Sequence, residues 1–157
     1  DPYGIRMWPE FKGRDGCRTP FPWKKRGTSA GFSDAPKTWL PIPPEHRELA
    51  VDQQTRNPDS MLNFYRNLLA WRKTHPALLK GRLKLLPADP QLLGYERRLD
   101  DDALLCVFNF SGKKARLPLP RGWADGLIDE GSGLTGAEIR RGALVLGPWS
   151  GAVLTRP

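Results

Sequence analysis

Apolar positions recur at three- and four-residue spacing along residues 57–75 and in short alternating or continuous runs from residue 81 onward; residues 1–56 follow neither pattern. In the first of these stretches Met61, Leu62, Phe64, Tyr65, Leu68, Leu69 and Trp71 share one side of a helix, and Arg66, Asn67, Arg72 and Lys73 leave the other side wet. Asn57 is suited to cap its N-terminus, Pro58 to the first helical position, and Asp59 to the positive end of the dipole. His75-Pro76 ends it. The apolar side is wider than nearby loops would cover, so the helix is expected to pack on a sheet or a second helix. No other stretch makes a strong helical case.

From Gly81 the pattern predicts strands at Arg82–Leu86, Leu92–Leu99, Ala103–Phe110, Ala115–Leu119, Gly126–Ile128, Ala143–Leu146 and Ala152–Thr155. Between them stand turn formers: Asp89-Pro90, Asp100-Asp101-Asp102, Ser111-Gly112, Pro120-Arg121-Gly122, Gly131-Ser132-Gly133 and Arg141-Gly142. Short strands at this spacing argue an antiparallel sandwich or barrel, with Leu104–Phe108, the most continuously apolar run, at its centre. A boundary is expected near Lys80: residues 1–79 form a loop-plus-helix unit and residues 80–157 a small all-β domain.

Residues 1–56 are broken by proline too often for any element beyond a turn or two, as in Trp8-Pro9, Thr19-Pro20, Phe21-Pro22, Ala35-Pro36 and Leu40-Pro41-Ile42-Pro43-Pro44. A long irregular segment of this kind points to function, to missing partner sequence, or to both. Tyr3, Trp8, Phe11, Phe21, Trp23, Phe32 and Trp39 need a surface to pack on. A local loop core, a larger domain beneath, or a sugar ring would each supply one.

Composition narrows the class. The chain has 157 residues, 39% of them apolar and 27% charged, which fits one or two soluble globular domains better than disorder. The net charge of +8 raises nucleic-acid binding. However, 13 basic and 8 acidic residues fall in 1–79, and 12 and 9 in 80–157; Lys24-Lys25-Arg26 is the sole basic triplet. So dispersed an excess argues against a nucleic-acid partner. Cys17 and Cys106 match no metal-ligand spacing, and Cys106 lies in an apolar run that predicts a buried, reduced thiol. A cytoplasmic setting follows from this cysteine usage. No apolar run approaches the ~18 residues that suggest a membrane span. The opening Asp-Pro-Tyr-Gly begins in mid-loop, which suggests a piece of a longer protein.

The remaining chemistry concentrates in Gly13–Trp23, where Arg14, Asp15 and Arg18 sit among glycines ahead of a stiff Thr-Pro-Phe-Pro-Trp run. Pro20 and Pro22 hold Thr19 and Phe21 extended, giving a rigid exposed loop of the kind on which binding residues concentrate.

The run Trp8-Pro9-Glu10-Phe11-Lys12-Gly13-Arg14-Asp15-Gly16-Cys17-Arg18-Thr19-Pro20-Phe21-Pro22-Trp23 resembles a signature of bacterial α-glucosidases in glycoside hydrolase family 13. The usual form has Met where this chain has Phe21. Gly31-Phe32-Ser33, Trp39-Leu40-Pro41, the stretch Asn57–Arg66 and the stretch Arg72–Leu78 extend the resemblance, which covers most of residues 1–110. It implies a (β/α)8 barrel, truncated here to its last loop and final helix, followed by an antiparallel all-β sandwich domain. Active sites of such barrels lie at the C-terminal ends of the strands, where this loop would belong.

The activity implied is retaining hydrolysis of an α-glucoside. That reaction needs a nucleophilic carboxylate and an acid/base carboxylate about 5–5.5 Å apart. In the family these groups and a third carboxylate come from earlier strands, and none of their motifs occurs in this sequence. Catalytic residues are therefore expected to be absent, since nothing sets the acidities of Glu10 and Asp15 apart. The chain alone is expected to be inactive.

What the resemblance leaves to this chain is substrate positioning. Arg18 would reach the glucose at the cleavage point, because a planar fork can hold a carboxylate and donate to sugar hydroxyls together. Arg14 and Asp15 would line the neighbouring subsite or brace the loop; an internal Arg14–Asp15–Arg18 ion cluster is the plainer alternative. Trp8, Phe21 and Trp23 are expected in loop packing, with stacking on sugar as the alternative. His46 and His75 are read as exposed or helix-end residues, and Asp100–Asp102 as a charged hairpin turn. No cofactor or metal is expected. The partner implied is an α-glucoside or oligosaccharide substrate. A transglucosylase of the trehalose-forming type and a stand-alone, non-catalytic β-sandwich binding module are the rivals.

Overall fold

The first structural unit is framed by its backbone rather than by an apolar core. The computed structural model describes residues 1–156 and divides into two units, Asp1–Phe64 and the chain from Tyr65 onward. In the first, helix α1 (Pro2–Arg6) is capped by the Asp1 carboxylate, which accepts the Tyr3 amide at 3.1 Å. Single 3-10 turns follow at Asp15–Cys17 and Thr28–Gly31, then short helices α2 (Pro44–Glu48) and α3 (Val51–Arg56). Its buried residues are all small: Pro20, Ser29, Ala30, Ala50 and Ser60.

Main-chain bonds do the holding. The Ala30 carbonyl accepts the amides of Trp23 and Lys24 at 3.0 and 2.9 Å, and the Pro22 and Trp23 carbonyls accept Val51 and Asp52 at 3.2 and 3.1 Å. The Asp52 carboxylate accepts the Lys25 amide at 3.0 Å, and Arg47 donates to the carbonyls of Lys25 and Gly27. Paired backbone groups of this kind are what a proline-rich segment needs in place of ladders. All seven aromatic rings named above are exposed, including Trp8, Phe21 and Trp23. A local loop core is therefore not how they are accommodated: within this unit no second layer covers them. Phe21 and Trp23 meet edge to face, with ring centroids 5.2 Å apart.

The predicted helix forms as α4 (Met61–Lys73), one turn shorter at its start than the residue pattern suggests. Asn57 is extended, as a residue before proline prefers, and its side chain accepts the Asp59 amide at 3.0 Å in a turn of its own. Ser60 becomes the cap: its hydroxyl accepts the Asn63 amide at 3.2 Å and its carbonyl the Phe64 amide at 2.9 Å. No residue of α4 is buried; Phe64, Leu68 and Trp71 are half-buried and Met61, Tyr65 and Leu69 exposed. The expected cover is partial, and Trp71 is the residue of this side that meets the β domain.

The second unit continues with α5 (Pro76–Lys80) and eight antiparallel strands: β1 (Arg82–Leu85), β2 (Leu92–Leu99), β3 (Asp102–Asn109), β4 (Ala115–Pro118), β5 (Leu127–Ile128), β6 (Ala137–Arg140), β7 (Ala143–Leu146) and β8 (Gly151–Thr155). One sheet runs β1-β2-β3-β8-β5 and the other β4-β7-β6. Strand β6, whose Ala-Glu-Ile-Arg alternation is only four residues long, is absent from the sequence expectation.

Strand β3 is central, as its apolar run predicts, because it is covered on both faces. Leu105 and Val107 enter the core between the sheets with Trp123, Leu144, Leu146 and Leu154; Leu104 and Cys106 enter a second core with Ala77, Leu78 and Val153. Trp71, at the end of α4, packs on that second core and donates its indole N–H to Asp129 Oδ2 at 3.0 Å. The same carboxylate oxygen lies 3.3 Å from His75 Nε2, while its partner oxygen accepts the Gly131 amide at 2.8 Å. His75 is thus a junction residue rather than a bare helix end. Asp102, the first residue of β3, caps α5 by accepting the Ala77 amide at 2.7 Å.

Burial pushes the Cys106 thiol up to about 11, against the pull of a hydrogen bond from Tyr95 and the charge of Arg97, and pushes the Tyr95 hydroxyl up to about 12. Cys17 is exposed, and both cysteines are free. A thiol-specific chromogenic reagent at pH 8 is therefore expected to label Cys17 at once and Cys106 only when denaturant is added. Two equally fast thiols in the folded protein would contradict this burial.

Candidate functional site

The loop predicted to bind closes on itself through two glycines. A Cβ on Gly4 would meet the Lys12 carbonyl oxygen at 2.9 Å, and Gly13, at φ +81°, would meet the Gly4 Cα at 3.0 Å. Only residues without side chains allow this approach, and Gly13 also needs the left-handed backbone. It brings Asp1 beside Arg14. The Arg14 amide and Nε donate to Asp1 Oδ2 at 2.9 and 2.7 Å, and Nη2 donates to Oδ1 at 3.2 Å. The guanidinium also lies over the Tyr3 ring, 5.2 Å from its centroid. This two-point grip engages Arg14 within the loop.

Asp15 opens the 3-10 turn Asp15–Cys17, so Arg18 follows one turn later and on the same side. Its Nη1 stands 4.0 Å from Asp15 Oδ1, a loose contact, and its side chain is half exposed. Asp15 Oδ2 accepts the Asp1 nitrogen at 2.8 Å. Of the predicted trio, then, Arg14 and Asp15 are tied to Asp1, while Arg18 keeps donors available. Asp1 is the partner that the sequence reading missed.

Arg18 borders a cleft of about 470 Å³, lined also by Phe21, Phe32, Lys37 and Trp39. Thr19, which follows Arg18, lies with its hydroxyl 3.3 Å from His46 Nδ1, so α2 steadies this edge. Trp39 is fully exposed. The cleft is amphipathic: aromatic faces on one hand, a guanidinium, an ammonium and hydroxyls on the other. Such a lining suits a neutral polyhydroxylated ring better than a purely apolar or purely ionic ligand.

Elsewhere in this unit, Asp52 is held below the ordinary carboxyl range: burial works the other way, but hydrogen bonds from Gln53 and from the Lys25 amide outweigh it. Asp52 therefore stays ionised and holds the Lys25 amide. Among the described residues no group of three or more His, Cys, Asp or Glu side chains gathers in a way that would hold a metal ion.

Comparison with known proteins places the chain. Residues 1–81 match the alpha amylase catalytic domain and residues 83–152 the maltogenic amylase C-terminal domain. The chain belongs to the alpha-amylase family. It is 46% identical over 120 residues to a probable alpha-glucosidase of Rhizobium meliloti, a match covering 76% of this chain and 21% of that protein. It is 40% identical over 122 residues to a probable oligo-1,6-glucosidase of Bacillus subtilis, covering 77% and 21%. Among solved structures it is similar to an alpha-glucosyl transfer enzyme, XgtA, at 37% identity and TM-score 0.86, covering 100% of this chain and 29% of that one. The trehalulose synthase MutB from Pseudomonas mesoacidophila is similar at 26% identity and TM-score 0.74, covering 98% and 30%. The chain thus spans about a fifth of the length of the curated relatives it matches.

Proposed function

We propose that this chain is the C-terminal part of a retaining α-glucosidase that acts on terminal α-glucosidic bonds of small oligosaccharides. Residues 1–79 are the last loop and helix of its (β/α)8 barrel, and residues 80–157 its C-terminal β domain. Arg18 positions the glucose to be transferred, Arg14 and Asp15 hold the loop that presents it, and the catalytic carboxylates belong to earlier strands. The enzyme works in the cytoplasm, without nucleic-acid or membrane partners; among the described residues no helix is long and apolar enough to cross a membrane.

One observation carries the reading: of the two arginines in the loop, Arg14 is consumed by Asp1 and Tyr3, while Arg18 stands half exposed over an aromatic-lined cleft. A fork divided in this way leaves one cation to build the loop and one to meet a ligand. The apolar side of α4, on which no residue is fully buried, is consistent with further protein packing there.

The stretch encoded upstream of Asp1 tests it. The reading requires barrel strands bearing a nucleophile, an acid/base and a third carboxylate, and a start codon directly before Asp1 overturns it. The purified 157-residue chain is expected to release no glucose from maltose or isomaltose; measurable turnover would move the catalytic groups into this sequence.

A second reading has support of its own. XgtA is named an alpha-glucosyl transfer enzyme, and this chain is similar to it along its whole length. Hydrolysis and transfer part ways at the glucosyl-enzyme intermediate, where water or a sugar hydroxyl attacks. Product analysis at high maltose separates them: glucose alone marks a hydrolase, and longer or isomeric saccharides a transferase.

A further inference from the structure

The turn that carries Arg18 hangs from Arg14. The Arg14 carbonyl accepts the Cys17 amide at 3.2 Å and the Cys17 thiol at 2.9 Å, and the Asp15 carbonyl accepts the Arg18 amide at 3.0 Å. The Arg18 side chain adds no tight anchor within this unit, since its contact with Asp15 is 4.0 Å long. Where its guanidinium starts from is therefore set by the backbone at Arg14. That backbone is held by one side chain. Asp1 Oδ2 accepts the Arg14 amide at 2.9 Å and Nε at 2.7 Å, while Oδ1 accepts Nη2 at 3.2 Å and the Tyr3 amide at 3.1 Å. The Asp1 side chain is 1% exposed. A carboxylate already enclosed, with both oxygens engaged, keeps these partners whatever packs outside it.

We infer that Asp1 is a positioning residue of the sugar site, its carboxylate fixing the turn from which Arg18 meets the transferred glucose. This rests on the reading of Arg18 as the residue that positions that glucose. Taking a carboxylate out of water is costly, and the attraction of a single cation rarely exceeds that penalty, so the enclosed Asp1 contributes placement more than stability. Two N–H donors on the fork and a third on the main chain fix Arg14 in both direction and height. The Tyr3 ring lies against the same guanidinium, 5.2 Å from its centroid, and the Tyr3 amide is bonded to the same carboxylate. Side chain and backbone of Arg14 therefore do not turn independently. Rate depends steeply on such placement: a shift of about 1 Å caused far from the chemistry can cost on the order of a hundredfold. Loosening Asp1 moves the origin of Arg18, and it acts on the sugar only through Arg18.

The test is a double-mutant cycle on kcat/KM for p-nitrophenyl α-glucoside in the whole enzyme, with Asp1→Asn, Arg18→Ala and the pair, each measured well below its own Tm. Asp1→Asn keeps the shape and an acceptor for the Tyr3 amide but loses the charge that grips Arg14. It is expected to lower kcat/KM about fivefold, and to lower it no further once Arg18 is replaced by alanine. Arg14→Lys, which keeps the charge but not the fork, is expected to behave in the same way, and it decides the matter should Asp1→Asn fail to fold. Losses that multiply in the pair overturn the inference alone, because Asp1 would then act on the fold and not through Arg18. An unchanged kcat/KM in Asp1→Asn, beside a loss in Arg18→Ala, overturns it too. No loss in Arg18→Ala overturns the positioning reading, and the inference with it.

Discussion

Arg18→Ala is expected to lower kcat/KM on an α-glucoside at least about tenfold in the whole enzyme. A hydrogen bond from a charged donor is worth ~1.5–3 kcal/mol, and 1.4 kcal/mol is already a factor of ten. In the 157-residue chain the substitution should not cause unfolding: Arg18 is half exposed there, and the Asp15 carboxylate oxygen is 4.0 Å away. A contact of that length on a solvated surface contributes little to stability. The measurement is therefore a pair, steady-state kinetics and a thermal melt, with the first changed and the second level. Arg18→Lys tests geometry, because an ammonium keeps the charge but cannot serve a carboxylate and a sugar hydroxyl from one plane. Near-normal kinetics in Arg18→Ala would remove the residue from the site.

The largest expected effect on stability lies elsewhere. Leu105→Ala is expected to cost about 2–5 kcal/mol, because it removes a wholly buried side chain from the central strand and leaves a cavity between two sheets. Leu105 pairs across β3 with Glu96 on one side and Leu154 on the other, so neighbouring strands are fixed by their ladders and collapse poorly into the void. Equilibrium unfolding of the chain in urea should show the midpoint falling while the slope holds. A loss below 1 kcal/mol would mean that Leu105 does not lie in a packed inter-sheet core.

The β domain was legible because its signals are local and redundant. β2 carries Leu92 through Leu99 between two turn clusters, and β3 is apolar at almost every position, as a strand covered on both faces must be. β6 escaped because four alternating residues between glycine-rich turns fall below what periodicity can resolve, and its pairing with β7 decides it. The start of α4 slipped for a different reason. Asn57 and Ser60 are both good caps by type, and only the turn that Asn57 closes with Asp59 hands the role to Ser60.

The site divides along the same line. Arg14, Asp15 and Arg18 stand out through the make-up of their loop and the family resemblance, whereas the partner of Arg14 does not. Asp1 reaches Arg14 from thirteen positions away, through the touching backbones of Gly4 and Gly13, and neither composition nor period signals such a closure.

That residues 1–64 are braced by peptide groups and small buried side chains, with the seven rings of residues 1–56 exposed, has a consequence for how such a loop changes over time. Rings that take no part in the frame can be exchanged one at a time without threatening it. Selection can thus vary these rings one by one, while the proline-and-glycine skeleton behind them is inherited intact.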